Sequence, residues 1–163
     1  MTFHMRRKDK EITDENVLKN ILKSTQYVTI AMSMNNEPYL VSLSHGYDEK
    51  TNCIYFHCAK EGKKLYFLKA NNNVWGQALQ DRGYIQGQCN HNFTSVHFKG
   101  KVSFIEDLDE KVRAMQVMIR QLDKNGNEMA AKLGEQKDRM QKLKDTVMGR
   151  IDIEFMTGKK PEE

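Results

Sequence analysis

The chain has 163 residues, 39% hydrophobic and 29% charged, the proportions of an ordinary globular protein able to build one core. Its 26 basic and 22 acidic side chains leave a net charge of +4, too mild for a dedicated nucleic-acid binder and compatible with a small anionic ligand. No window approaches the roughly 18 apolar residues of a membrane span. Three cysteines, Cys53, Cys58 and Cys89, with no secretory pattern ahead of them, predict a reducing, cytoplasmic setting.

Proline occurs only at Pro38 and Pro161, and no Ser/Gly-rich linker interrupts the chain, so one domain is expected over 1–163. Asp14 is placed to cap a helix whose stripe is Val17, Leu18, Ile21 and Leu22 and which ends near Ser24. From Tyr27 the period becomes two, giving a strand over 27–34, a turn at Asn35-Asn36-Glu37-Pro38 and a second strand over 39–47. A third strand follows over 52–58. The loop 59–62 then leads to a helix carrying Leu65, Phe67 and Leu68, stopped by Asn71-Asn72-Asn73.

A short strand is expected over 74–79 and a long one over 93–105. In the latter, Thr94, Val96, Phe98, Val102 and Phe104 face one way and Ser95, His97, Lys99, Lys101 and Ser103 the other. Residues 108–122 read as an amphipathic helix, 123–138 as a loop with some helix, and 147–155 as a last strand with Val147, Ile151, Ile153 and Phe155 inward. Six strands in hairpins, interrupted by helices, predict a mainly β, α+β chain: an antiparallel six-stranded barrel with flanking helices.

Two segments carry chemistry. Tyr55-Phe56-His57-Cys58-Ala59-Lys60-Glu61-Gly62-Lys63-Lys64 is a strand end, a Gly-containing loop and a helix start. Backbone N–H groups at a helix start favour an anion such as a phosphate monoester, and Lys63 and Lys64 sit where they add charge. The same lysines also fit an ordinary solvated helix face. In Leu40-Val41-Ser42-Leu43-Ser44, Ser42 and Ser44 share a face, which suits either a groove admitting a flat ring or a polar strand face in water. A structural zinc is excluded by spacing: Cys53 and Cys58 face opposite sides of one strand, as do His57 and Cys58, and Cys89 with His91 makes only two ligands. The same alternation argues against a Cys58–His57 nucleophile.

Taken in order, five stretches resemble the pyridoxamine 5'-phosphate oxidase-like FMN-binding split barrels, in their flavin-nucleotide-binding, nitroimidazole-reductase-type branch. They are Met5 to Ile12, Pro38 to Asp48, Ile54 to Lys64, Phe93 to Lys101 with Glu106 to Lys111, and Ile151 to Lys159. The resemblance implies FMN at the interface of a homodimer, its phosphate near Lys63 and Lys64. Phe56, His57, Cys58 and Ala59 would flank the flavin, with Ser42, Leu43 and Ser44 along the second strand and Ser95 on the neighbouring one. The sequence departs from the family pattern at Ser42 (usually proline), Ser44 (asparagine), His45 (an aromatic) and Cys58 (serine). These changes fall where a substrate would meet the ring.

The expected function is an FMN-dependent oxidoreductase acting on a small molecule, a small aromatic or nitro-type acceptor among the candidates, with NAD(P)H as a possible electron donor. His57 is the candidate for assisting proton or electron transfer, although a single strand histidine is more often a structural hydrogen-bonder. The alternative is a non-catalytic FMN or haem carrier. A nucleic-acid surface on Lys99 and Lys101 lacks any stacking motif to support it.

Overall fold

The computed structural model describes residues 5–135 and 137–161; residues 1–4, 136 and 162–163 of the expected single-domain span lie outside the described residues. Helix α1, Glu15–Ser24, forms where its stripe predicts. The Asp14 carboxylate accepts the Asn16 N–H at 2.9 Å, and Leu18, Ile21 and Leu22 are buried. Strands β2, Tyr27–Met34, and β3, Glu37–Ser44, form a hairpin. Its turn is tighter than expected. Asn35 and Asn36 both take positive φ, 51° and 65°, as a two-residue hairpin turn of matching twist requires. Pro38 therefore belongs to β3, which tolerates it because β3 is an edge strand paired with β2 alone.

The strand expected over 39–47 is broken in two at His45. Its second half is β4, Gly46–Asp48, and the two halves occupy opposite ends of one sheet. The described residues form an eight-stranded antiparallel sheet in the order β3-β2-β6-β7-β8-β5-β4, with β1, Glu11–Ile12, attached to β8. Here β5 is Cys53–Cys58, β6 Asn73–Ile85, β7 Asn90–Ile105 and β8 Val147–Lys159. The sheet curls until its end strands are consecutive in the chain. The chain passes from one end strand to the other through His45, while β3 and β5 remain in contact without a ladder between them, so the sheet is not closed there. This is the expected split barrel, with β1 and β4 as short additions to the six expected strands.

His45 is fully buried at the break. With its proton on Nε2 it donates to the Leu22 carbonyl at 2.9 Å. The Gln121 amide donates to the carbonyls of Leu22 (3.0 Å) and Thr25 (2.8 Å) and accepts the Tyr47 N–H at 2.9 Å. Burial pushes the His45 pKa below the ordinary histidine value, and among the described residues Nδ1 has no hydrogen-bond partner. The neutral ring is therefore the folded form, so its contribution is present above the unfolded pKa near 6.5 and is lost as pH falls below it. His45→Phe leaves the Leu22 carbonyl served by Gln121. Urea unfolding between pH 7.5 and 5 is expected to show a shallower acid loss in that variant than in the native chain; parallel slopes would refute the assignment.

Helix α2 is Lys63–Ala70, and α3, Leu108–Leu122, is capped by Asp107, whose carboxylate accepts the Glu110 N–H at 2.8 Å. Strand β6 runs past its expected end because the polar stretch Gln80-Asp81-Arg82-Gly83 hides the alternation; with β7 it continues beyond a register shift between Asp81 and Tyr84. The segment 123–138 is more helical than expected. It contains α4, Gly126–Ala131, and the start of α5, Lys137–Asp145, which buries only Leu143 and so shows no apolar period. Among the described residues no helix is long and apolar enough to cross a membrane.

Inside the barrel, Val28, Ile30, Ile54, Phe56, Val96, Phe98 and Ile151 form the centre of the core. Two glycines face two of these phenylalanines directly across the ladder: Gly149 opposite Phe56 and Gly76 opposite Phe98. Each ring lies over its glycine, and a Cβ there would sit 2.2 Å and 2.1 Å from the respective ring. The expectation that Phe155 points inward is corrected. Lys99 pairs with Phe155 while Gly100 pairs with Ile153, so Glu154 is an extra residue that reverses the alternation. Phe155 is 44% exposed and meets Trp75 edge-on, with ring centroids 6.4 Å apart.

Candidate functional site

The candidate site follows the seam between the open edge of β3 and the end of β5. Ser42 and Ser44 are exposed on the outer face of β3, where the Ser42 hydroxyl shares a hydrogen bond with Thr29 at 3.0 Å. In the β4–β5 ladder Gly46 lies opposite Tyr55. Beyond the break at His45 that ladder does not continue, and β3 and β5 touch without pairing. His57 is exposed and shares its parity with Cys53 and Tyr55 on the outer side of β5; Cys58 is half-buried with the opposite parity. Leu43 and Phe56 send their side chains into the core, at 6% and 0% exposure. Any contact they make with a ligand runs through their backbone.

Beyond β5 the loop of Ala59, Lys60, Glu61 and Gly62 is exposed and opens into α2. Gly62 stands at the N-cap with φ 141° and supplies no side-chain cap, and a Cβ there would touch nothing within 4 Å. The first N–H groups of α2 therefore point out of an uncrowded, positively polarised helix end. Lys63 leans towards β3: its Nζ is 2.9 Å from Glu37 Oε1 and lies over the rings of Tyr39 and Phe67, 4.9 Å and 5.3 Å from their centroids. Lys64 lies on the β5 side. Burial pushes the Cys58 thiol pKa up, an effect that the nearby Lys64 charge only partly offsets. Lys60 turns away to Asp145 at 3.1 Å.

Ser95 is not brought to this seam within one chain. It lies on β7, flanked by β6 and β8, and is 1% exposed; the expectation of a neighbouring strand is corrected by the sheet order.

The outer face of the sheet carries a feature that residue order alone does not single out. Register places Leu40, Ala31, Trp75, Lys99 and Phe155 in one cross-strand row and Ser42, Thr29, Gln77, His97 and Thr157 in the next. Tyr27, Leu40, Trp75, Leu79 and Phe155 are each more than 40% exposed. Gln77 and His97 share a hydrogen bond of 3.0 Å, and burial with the Lys159 charge lowers the His97 pKa. The available signal was the large apolar residues at outward positions of β2, β3 and β6. A separate cleft of about 630 Å³, lined by Ile12, Val17, Ile21, Arg82 and Pro161 among others, lies away from the seam beside α1.

The sequence profile of the pyridoxamine 5'-phosphate oxidase family matches residues 14–160. The chain belongs to that family. No significantly similar sequence is found among curated proteins. Several solved structures share the fold. A candidate 5-nitroimidazole antibiotic resistance protein from Bacteroides thetaiotaomicron is 24% identical, with a TM-score of 0.76 over 91% of this chain and 85% of that one. The flavocytochrome Anf3 from Azotobacter vinelandii is 17% identical, with a TM-score of 0.79 over 99% and 74% of the two chains. A FAD and haem binding protein from Mycobacterium smegmatis is 13% identical, with a TM-score of 0.71 over 94% and 74%.

In this member of the pyridoxamine 5'-phosphate oxidase family, the hydroxyls and unpaired edge of β3, the exposed imidazole of β5 and the two ammonium groups at the start of α2 share one neighbourhood, with the Cys58 thiol turned to the other side of β5.

Proposed function

We propose that the protein binds FMN along the seam and works as an FMN-dependent oxidoreductase. The observation that carries this reading is the start of α2, without a side-chain cap and with Lys63 and Lys64, lying beside the unpaired edge of β3. A phosphate monoester suits the helix end and the two lysines. A planar ring suits the edge beyond it, where Ser42 and Ser44 keep the wall low. Flavin binding is also what the family resemblance implies. When bound, the isoalloxazine supplies the hydride and electron transfer. This chain's residues bind the phosphate, orient the ring edge and limit water, and His57 is the proton-handling candidate beside it. A small aromatic or nitro-type acceptor and an NAD(P)H donor fit an open ring face.

The working unit in this proposal is a homodimer. Exposed apolar side chains gathered on one sheet face, with Leu40, Trp75 and Phe155 in a single row, are the mark of a covered face, and a second copy would shield a cofactor lying along an open seam. A stable interface of this kind buries on the order of 2,000 Å². Light scattering is expected to give about twice the 19.0 kDa chain mass, and Trp75→Glu to shift it towards one chain; a native monomer that binds FMN tightly would refute the shared site. The reading as a whole is tested by the absorption spectrum of the purified protein and by calorimetric titration with FMN, FAD and riboflavin. Flavin bands and tightest binding of FMN are expected. A Soret band without flavin favours the haem-carrier reading, and failure to bind any of the three flavins overturns the proposal.

A further inference from the structure

We infer that Glu37 is a resident competitor for the anion at the start of α2 and sets how tightly that site takes a phosphate monoester. The inference rests on the FMN reading above. The Glu37 carboxylate, at the first position of β3, reaches across to α2 and holds Lys63 Nζ at 2.9 Å, while the Tyr39 and Phe67 rings support the ammonium from beneath. Both partners are more than half exposed, so the pair is hydrated and exchangeable rather than locked. The other basic side chain of the loop, Lys60, is likewise held by a carboxylate, that of Asp145 at 3.1 Å. Of the three lysines that frame the helix start, Lys64 alone has no carboxylate partner within 4 Å among the described residues.

The consequence is a site whose cations are already partly spent on the protein's own acids. A dianionic phosphate can displace one carboxylate from Lys63, because it brings more charge and more acceptor oxygens to the same ammonium and to the helix N–H groups. A weaker anion cannot. Glu37 thereby filters for the doubly charged monoester and penalises every anion by the cost of breaking one ion pair and of leaving a carboxylate nearby.

Calorimetric titration of the full chain with FMN and with riboflavin, at 50 and 300 mM salt, tests this. An exposed ion pair is worth up to about fivefold in an equilibrium constant. Glu37→Gln is therefore expected to bind FMN roughly three- to fivefold more tightly at low salt, with a smaller gain at high salt, and to bind riboflavin as the native chain does. In a Lys63→Ala background the gain from Glu37→Gln should shrink, because the two act through one contact. Unchanged or weaker FMN binding in Glu37→Gln overturns the inference, as does an equal gain for riboflavin. A native chain that binds no FMN overturns the FMN reading itself and the inference with it.

Discussion

Changing Lys63 and Lys64 together to alanine is expected to weaken FMN binding on the order of 100-fold while leaving the fold intact. Each charge-assisted contact to a phosphate contributes about 1.5–3 kcal/mol, and the low end is appropriate at an exposed site where water and salt compete. Two such contacts, partly offset by the Lys63–Glu37 pair already present, give about two orders of magnitude. Neither ammonium belongs to the core, so the circular dichroism spectrum and the urea midpoint should be close to native. Titration calorimetry with FMN decides the matter. A change of less than about threefold would show that the phosphate, if bound at all, sits elsewhere.

The second large effect falls on stability. Gly149 lies opposite Phe56, and both are buried. Gly149→Ala would put a Cβ 2.2 Å from the Phe56 ring, and an overpacked, rigid core resists by about 1–3 kcal/mol. Phe56→Ala removes a fully buried ring and is expected to cost about 3–5 kcal/mol. The double variant should cost clearly less than the two together, because the space vacated by the ring receives the new methyl. Chemical unfolding of the four proteins measures this directly. Simple additivity would mean that the ring and the glycine do not share their space in solution. The result bears on function too, since it treats Phe56 as a barrel residue whose side chain has no direct part in ligand contact.

Much of this architecture could be read from residue order, and the failures have physical causes. Strands β2 and β7 and helices α1 and α3 announce themselves because one face is apolar and the other is not, and because Asp14 and Asp107 cap the two helices; β5 does so as a short apolar run covered on both faces. The break at His45 is silent. The segment reads as one strand, and what divides it is that its first part pairs with β2 while its last three residues turn to pair with β5. The inversion at Phe155 is silent for a related reason: a one-residue bulge at Glu154 costs nothing visible in composition yet turns every later side chain over. Helix α5 hides because one buried leucine makes no period. Of the candidate site, Lys63, Lys64 and the hydroxyls of β3 were legible through helix-end electrostatics and strand alternation. The Glu37–Lys63 pair was not, since 26 residues separate two groups that meet only after the sheet has curled.

The open edge of β3 has a cost beyond recognition. An unpaired strand edge presents backbone donors and acceptors that another chain can zip onto, which is a common first step towards aggregation. Only the start of β3 carries protection, a charge at Glu37 and a missing N–H at Pro38; from Leu40 to Ser44 the side chains are apolar or small and the edge is bare. A molecule bound along the seam, as proposed for FMN, would therefore also act as a guard, occupying the very groups through which two barrels would stick together.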